Sequence, residues 1–122
     1  MQIVLVEDNP LMQQLFAIFL RGHGFEVTVA ATGAAALATP VSLPALFMVD
    51  LRLPDCDGFE LLQQLRAHPT LRQCPAIALS GLGEVDRRAA IAAGFDRFLT
   101  KPTDLDELLQ TITELIGDNP PR

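Results

Sequence analysis

Five short apolar runs rich in β-formers recur along the chain: Ile3–Val6, Val27–Ala30, Ala45–Val49, Ala76–Leu79 and Arg97–Thr100. The first, third and fourth are nearly continuous rather than alternating, the pattern of strands covered on both faces. Stretches of helical periodicity lie between and after them. In the first, Asn9 stands as a plausible N-cap before Pro10, the residue best tolerated at the first helical position. Leu11, Leu15, Ile18 and Phe19 are expected to face inward, with Gly22 and Gly24 marking the end. Further helices are predicted over Gly33–Thr39, Gly58–Ala67 and Glu84–Ala93. The last carries the clearest stripe, Leu105, Leu108, Leu109, Ile112, Leu115 and Ile116, with Asp104, Asp106 and Glu107 near its positive end. Strand and helix alternate five times. Right-handed crossovers then give an α/β fold, a five-stranded parallel sheet with helices on both faces.

A length of 122 residues suits one core, expected to span residues 1–116, with 117–122 a flexible tail or linker stub. The fourth helix is expected to be weakly held, since it offers the core only Val85, Ala89, Ala92 and Ala93. A net charge of −6 argues against direct binding of nucleic acid or anionic lipid. No apolar run approaches the ~18 residues that read as a membrane span, and no signal peptide precedes Glu7 and Asp8. Cys56 and Cys74 lack metal or redox spacing and read as free thiols of a reducing cytoplasm.

Ligands of such sheets gather beyond the carboxyl ends of the strands. There the first strand delivers Glu7 and Asp8, the third Asp50, the fourth Ser80 and the fifth Lys101. Three carboxylates in one small space repel by roughly 3 kcal/mol per pair at 5 Å and an effective dielectric near 20. Such a cluster keeps a proton, binds a cation, or both. All-oxygen ligands and an open site suit Mg2+. Plainer roles exist: Glu7 and Asp8 could end a strand and start a helix, Ser80 could form a turn, and Lys101 could be a solvated cation. Asp50 resists that treatment, because it follows Leu46-Phe47-Met48-Val49 and precedes Leu51, where an unpaired buried carboxylate is costly. Lys101 is also the only lysine in the chain. Asp55, Asp57 and Gly58 read as turn chemistry before a helix, and His23 and His68 as surface residues.

Val6-Glu7-Asp8-Asn9, the block from Asp50 to Gly58, Leu79-Ser80-Gly81 and Phe98-Leu99-Thr100-Lys101-Pro102, in that order, resemble the receiver domain of two-component response regulators. The likeness covers residues 2 to 116 and implies a flavodoxin-like fold of strand order 2-1-3-4-5. It also implies a phosphorylation-dependent switch in a phosphorelay. Asp50 would accept a phosphoryl group from a phosphohistidine on a sensor histidine kinase or a histidine phosphotransfer protein. Glu7, Asp8, Asp50 and the backbone carbonyl of Arg52 would hold Mg2+, while Lys101 and Ser80 would contact the new phosphoryl oxygens. Ser80 and Phe98 would form the switch. The signal would pass to a downstream protein target or to an output domain absent from this sequence. No enzyme in the ordinary sense is expected, only self-catalysed transfer and slow autodephosphorylation.

Several residues depart from the common family pattern: Ser80 for Thr, Cys56 for Met, Phe98 for Tyr, Thr103 for Phe, and Arg52, placed to overhang the site. None removes a group the chemistry needs. Three alternatives remain. A degenerate receiver would act as a phosphorylation-independent protein-binding module. An FMN electron carrier is disfavoured by Glu7-Asp8 in the phosphate-cradling loop and by the lack of Trp and Tyr. A haloacid-dehalogenase-type phosphatase would need an acid where Arg52 stands.

Overall fold

The computed structural model describes residues 2–38 and 44–117. Five parallel strands run through its centre: β1 (Gln2–Val6), β2 (Glu26–Ala30), β3 (Leu46–Asp50), β4 (Ala76–Ser80) and β5 (Arg97–Thr100). They lie in the order β2-β1-β3-β4-β5. The helices are α1 (Pro10–Gly22), α2 (Gly33–Leu37), α3 (Gly58–Ala67), α4 (Glu84–Ala93) and α5 (Leu105–Gly117). All residues of β3 and β4 are buried, as is β1 from Ile3 onward, whereas the edge strands β2 and β5 mix buried and exposed residues. The continuous and mixed runs in the sequence therefore sort interior strands from edge strands.

Side chains alternate across the sheet, so each strand feeds two cores. Val4, Val6, Phe47, Val49, Ala76 and Ala78 pack on one face with Leu61, Leu62 and Leu65 of α3 and Ala90 of α4. Ile3, Leu5, Met48, Ile77 and Leu79 pack on the other with Phe16, Ala17 and Leu20 of α1 and Leu108, Ile112 and Ile116 of α5. Two helix ends follow the sequence closely. The Asn9 side chain accepts hydrogen bonds from the N–H groups of Leu11 and Met12, with Pro10 in the first turn. Asp104 caps α5 through the N–H groups of Asp106 and Glu107.

The buried face of α1 is not the expected one. Leu11 is 75% exposed, Ile18 72% and Leu15 44%; Phe16, Ala17 and Leu20 are buried and Phe19 is half-buried. Apolar residues occur on both sides of this helix, and the side that carries Phe16, Ala17 and Leu20 is the one that meets the sheet. In α4, Val85, Ala89, Ala92 and Ala93 are all exposed, while Ala90 and Asp86 are buried. The helix is thus held by still less apolar surface than expected, and partly by a carboxylate.

Small boundary differences carry one useful result. Asp50 and Ser80 are the last residues of β3 and β4, so the rigid sheet itself aims their side chains. Ala45 precedes β3, and α2 ends at Leu37, the expected Thr39 lying outside the described residues. Gly117 belongs to α5, whereas the rest of the expected tail, 118–122, lies outside the described residues.

Candidate functional site

The parallel register brings the carboxyl ends of β1, β3, β4 and β5 to one edge. Val6 pairs with Val49, Asp50 with Leu79 and Ser80 with Thr100, so the residues that end these strands or follow them converge. One carboxylate oxygen from each of Glu7, Asp8 and Asp50 lies within 4.8 Å of the others. Glu7 is fully buried, Asp50 nearly so, and Asp8 is exposed.

Lys101 reaches into this cluster. Its Nζ donates to Glu7 Oε1 at 2.6 Å and to Asp50 Oδ2 at 3.1 Å. The remaining oxygens are oriented by backbone: the Asn9 N–H donates to Glu7 Oε2, and the Arg52 N–H donates to Asp50 Oδ1. Gln13 Nε2 donates to the Glu7 carbonyl at 2.6 Å, tying α1 to the end of β1. Burial pushes the Glu7 carboxyl above its ordinary range, partly opposed by the Lys101 and Asn9 hydrogen bonds. Burial pulls Lys101 down, but its hydrogen bond to Glu7 and the nearby Asp50 charge outweigh that and raise it overall.

Three carboxylates against one ammonium leave this cluster a formal excess of two negative charges. No His or Cys belongs to it. A hard divalent cation with oxygen ligands fits that donor set, and Mg2+ suits one that supplies few protein ligands.

Ser80 sits on the strand beside Asp50, yet its hydroxyl turns to a fourth acid, Asp86. Its Oγ donates to Asp86 Oδ2 at 2.6 Å and accepts the Leu82 N–H at 3.1 Å. Arg52 closes the group, its guanidinium lying 2.9 Å and 3.2 Å from the two Asp86 oxygens. Phe98 is buried, with the Arg87 guanidinium 5.0 Å above its ring.

The block around Asp50 is braced from below. Gly58 donates its N–H to the Leu51 carbonyl, and Asp57 caps α3 through the Glu60 N–H. Asp55 accepts the N–H groups of Gly33 and Ala34, fastening this loop to the start of α2; those two bonds hold its carboxyl below the ordinary range. Cys56 is half-buried against the core, Cys74 is buried and pushed up to about 12 by desolvation, and both are free thiols. His23 and His68 are exposed at the ends of α1 and α3.

The fold and this edge define a parallel α/β domain with a carboxylate cluster and one lysine at the carboxyl ends of its strands. Residues 3–113 match the response regulator receiver domain, and the chain belongs to that family. It is 38% identical, over 99% of its length and 94% of the relative's, to an uncharacterized 14.6 kDa protein in the sodA1 3′ region of Leptolyngbya boryana. It is 35% identical to the DNA-binding dual master transcriptional regulator RpaA of Synechocystis, over 94% of this chain but only 48% of that protein. The receiver domain of the Pseudomonas aeruginosa sensor histidine kinase PA1611, solved with a magnesium ion coordinated in its active-site cleft, superposes with a TM-score of 0.87. That match is at 34% identity and covers 95% of this chain and 97% of the other. The chemotaxis response regulator CheY4 of Vibrio cholerae gives 0.85 at 25% identity, over 93% and 97% of the two chains.

The structure thus brings Glu7, Asp8, Asp50 and Lys101 together and places Ser80 on the adjacent strand, bonded elsewhere. Asp86 was missed by sequence reasoning. A carboxylate in the first turn of a helix reads as a partner of the helix dipole, and only the tertiary fold supplies Arg52, 34 positions away, as its counter-charge.

Proposed function

We propose that the chain is a phosphorylation-dependent switch of a two-component phosphorelay, with Asp50 as phosphoacceptor. The observation that carries this reading is the convergence of Glu7, Asp8 and Asp50 on one point with Lys101 bonded to two of them. A carboxylate oxygen of Asp50 attacks the phosphorus of a phosphohistidine on a sensor histidine kinase or phosphotransfer protein. The new O–P bond forms as the P–N bond breaks, and the imidazole leaves with the electron pair and takes up a proton. The backbone N–H of Arg52, bonded to Asp50 Oδ1, fixes the carboxylate plane. Lys101 moves from carboxylate to phosphoryl oxygen as the negative charge arrives there.

Glu7, Asp8 and Asp50, with the backbone carbonyl of Arg52, would hold Mg2+, which neutralises phosphoryl charge when bound. The same constellation favours slow attack by water at phosphorus, returning free Asp50 and inorganic phosphate. Ser80 donates to another phosphoryl oxygen, and Phe98 moves with it. The exposed Leu11, Leu15 and Ile18 on α1, the helix that starts beside Asp8, offer the donor an apolar seat. The signal then passes to a downstream protein or output domain; the RpaA match, which spans about half of that transcriptional regulator, is consistent with either. Cytoplasmic residence accords with the free thiols, and among the described residues no helix is long and apolar enough to cross a membrane. Purely phosphorylation-independent docking finds no support in a site that keeps every group the transfer needs.

The test is incubation with acetyl phosphate and Mg2+, followed by intact-mass measurement. The wild type gains one phosphoryl group and an Asp50→Asn variant gains none. An unchanged wild-type mass, under conditions that label an established receiver, would reject phosphoacceptor function.

A further inference from the structure

The Ser80 hydroxyl has one proton, and that proton is committed. It goes to Asp86 Oδ2 over 2.6 Å, while the oxygen's accepting side takes the Leu82 N–H. A hydroxyl cannot donate to two acceptors at once. Asp86 is 5% exposed, and apart from Ser80 its carboxylate is met by the Arg52 guanidinium, itself half-exposed. Its helix α4 buries only one other residue, Ala90, and has no side-chain cap at its start, where Gly83 sits at φ 68°.

We propose that Asp86 is a positioning residue acting through Ser80: it holds the hydroxyl away from Asp50 and ties α4 to the unmodified site. This rests on Asp50 being the phosphoacceptor and names what regulates that same site. A phosphoryl group on Asp50 gains the Ser80 hydrogen bond only as Asp86 loses it. The exchange removes the side-chain hydrogen bond that ties α4 to the end of β4 and leaves Asp86 with Arg52, in the loop after β3, alone. Asp86 therefore sets both how readily the modified state forms and how firmly α4 is held before it forms.

Two measurements test this. The first needs neither metal nor phosphoryl analogue: amide exchange of α4 in the free protein is faster in Asp86→Ala than in the wild type. An unchanged α4 rate overturns the anchoring role. The second is the apparent affinity for beryllofluoride with Mg2+, titrated by fluorine NMR. Asp86→Ala binds roughly tenfold more tightly, the weight of one charge-assisted hydrogen bond no longer surrendered. Asp86→Asn, which keeps a carbonyl acceptor but no charge, falls between. In a Ser80→Ala background the Asp86 substitution changes nothing, because the proton it acts through is gone. Equal affinities of wild type and Asp86→Ala, or a gain that survives Ser80→Ala, overturn the proposal. A wild type that binds no beryllofluoride overturns the phosphoacceptor reading instead, and α4 exchange still decides whether Asp86 anchors the helix.

Discussion

Replacing Lys101 with Met keeps an unbranched side chain one atom shorter and removes its charge. Glu7, fully buried, then loses the ammonium 2.6 Å away, and Asp50 loses the same group at 3.1 Å. Breaking a buried ion pair by deleting one partner costs about 3–5 kcal/mol when both ends are dry. Lys101 retains 22% of its side-chain exposure, so the loss is smaller. Glu7 also has an escape: it can take a proton. From its ordinary value of 4.5, neutralising it costs at most about 3.4 kcal/mol at pH 7 and about 1.4 kcal/mol at pH 5.5. Burial already raises this group in the wild type, so part of that ceiling is already spent. The variant should therefore lose about 2 kcal/mol at pH 7 and about 1 kcal/mol or less at pH 5.5. The sign follows from proton uptake. In the variant the folded state holds a proton on Glu7 where the unfolded chain does not, so its stability falls as pH rises above 4.5. Urea titrations in metal-free buffer at the two pH values measure this, and a Glu7→Gln/Lys101→Met double variant should recover most of the loss at pH 7. A deficit that is independent of pH, or a double variant no better than the single one, would refute the reasoning.

Two further outcomes follow from the geometry around the site. A Cβ on Gly58 would lie 2.9 Å from the Leu51 Cα and 3.0 Å from the Asp50 carbonyl oxygen, whereas one on Gly22 meets nothing within 4 Å. Gly58→Ala should cost about 1–3 kcal/mol and Gly22→Ala should be neutral or stabilising by up to ~1 kcal/mol; matching urea midpoints for the two variants would contradict this. Asp55 is held below its ordinary 3.8 by the Gly33 and Ala34 N–H groups, so the unfolded chain binds more protons there and its contribution vanishes as pH falls below 3.8. The gap between the denaturation midpoints of the wild type and Asp55→Asn, present at pH 5, should shrink as pH is lowered below 3.8, and a constant gap would count against that role.

Much of the site was legible because the sheet converts order along the chain into position in space. Once buried runs are seen to end in Asp50 and Ser80, and to be followed by Glu7-Asp8 and Lys101, parallel pairing brings them to one edge. What stayed hidden depended on contacts between elements. Leu11, Leu15 and Ile18 form one apolar stripe of α1 while Met12, Phe16 and Leu20 form another, and the periodicity cannot say which of two greasy faces meets the sheet. In α4, counting apolar residues chose Val85 and three alanines, because Asp86 is a core residue only by virtue of Arg52 and Ser80. Arg52 was seen as overhanging Asp50; its guanidinium instead turns to Asp86, and only its backbone N–H serves Asp50.

Glu7 and Lys101 touch across 94 positions of sequence. A nascent chain emerging from a ribosome therefore displays its acids long before the cation that completes them has been synthesised. The cluster is complete only when the residue that follows the fifth strand reaches the end of the first, so an intact cluster is itself a report that these strands have assembled into one sheet.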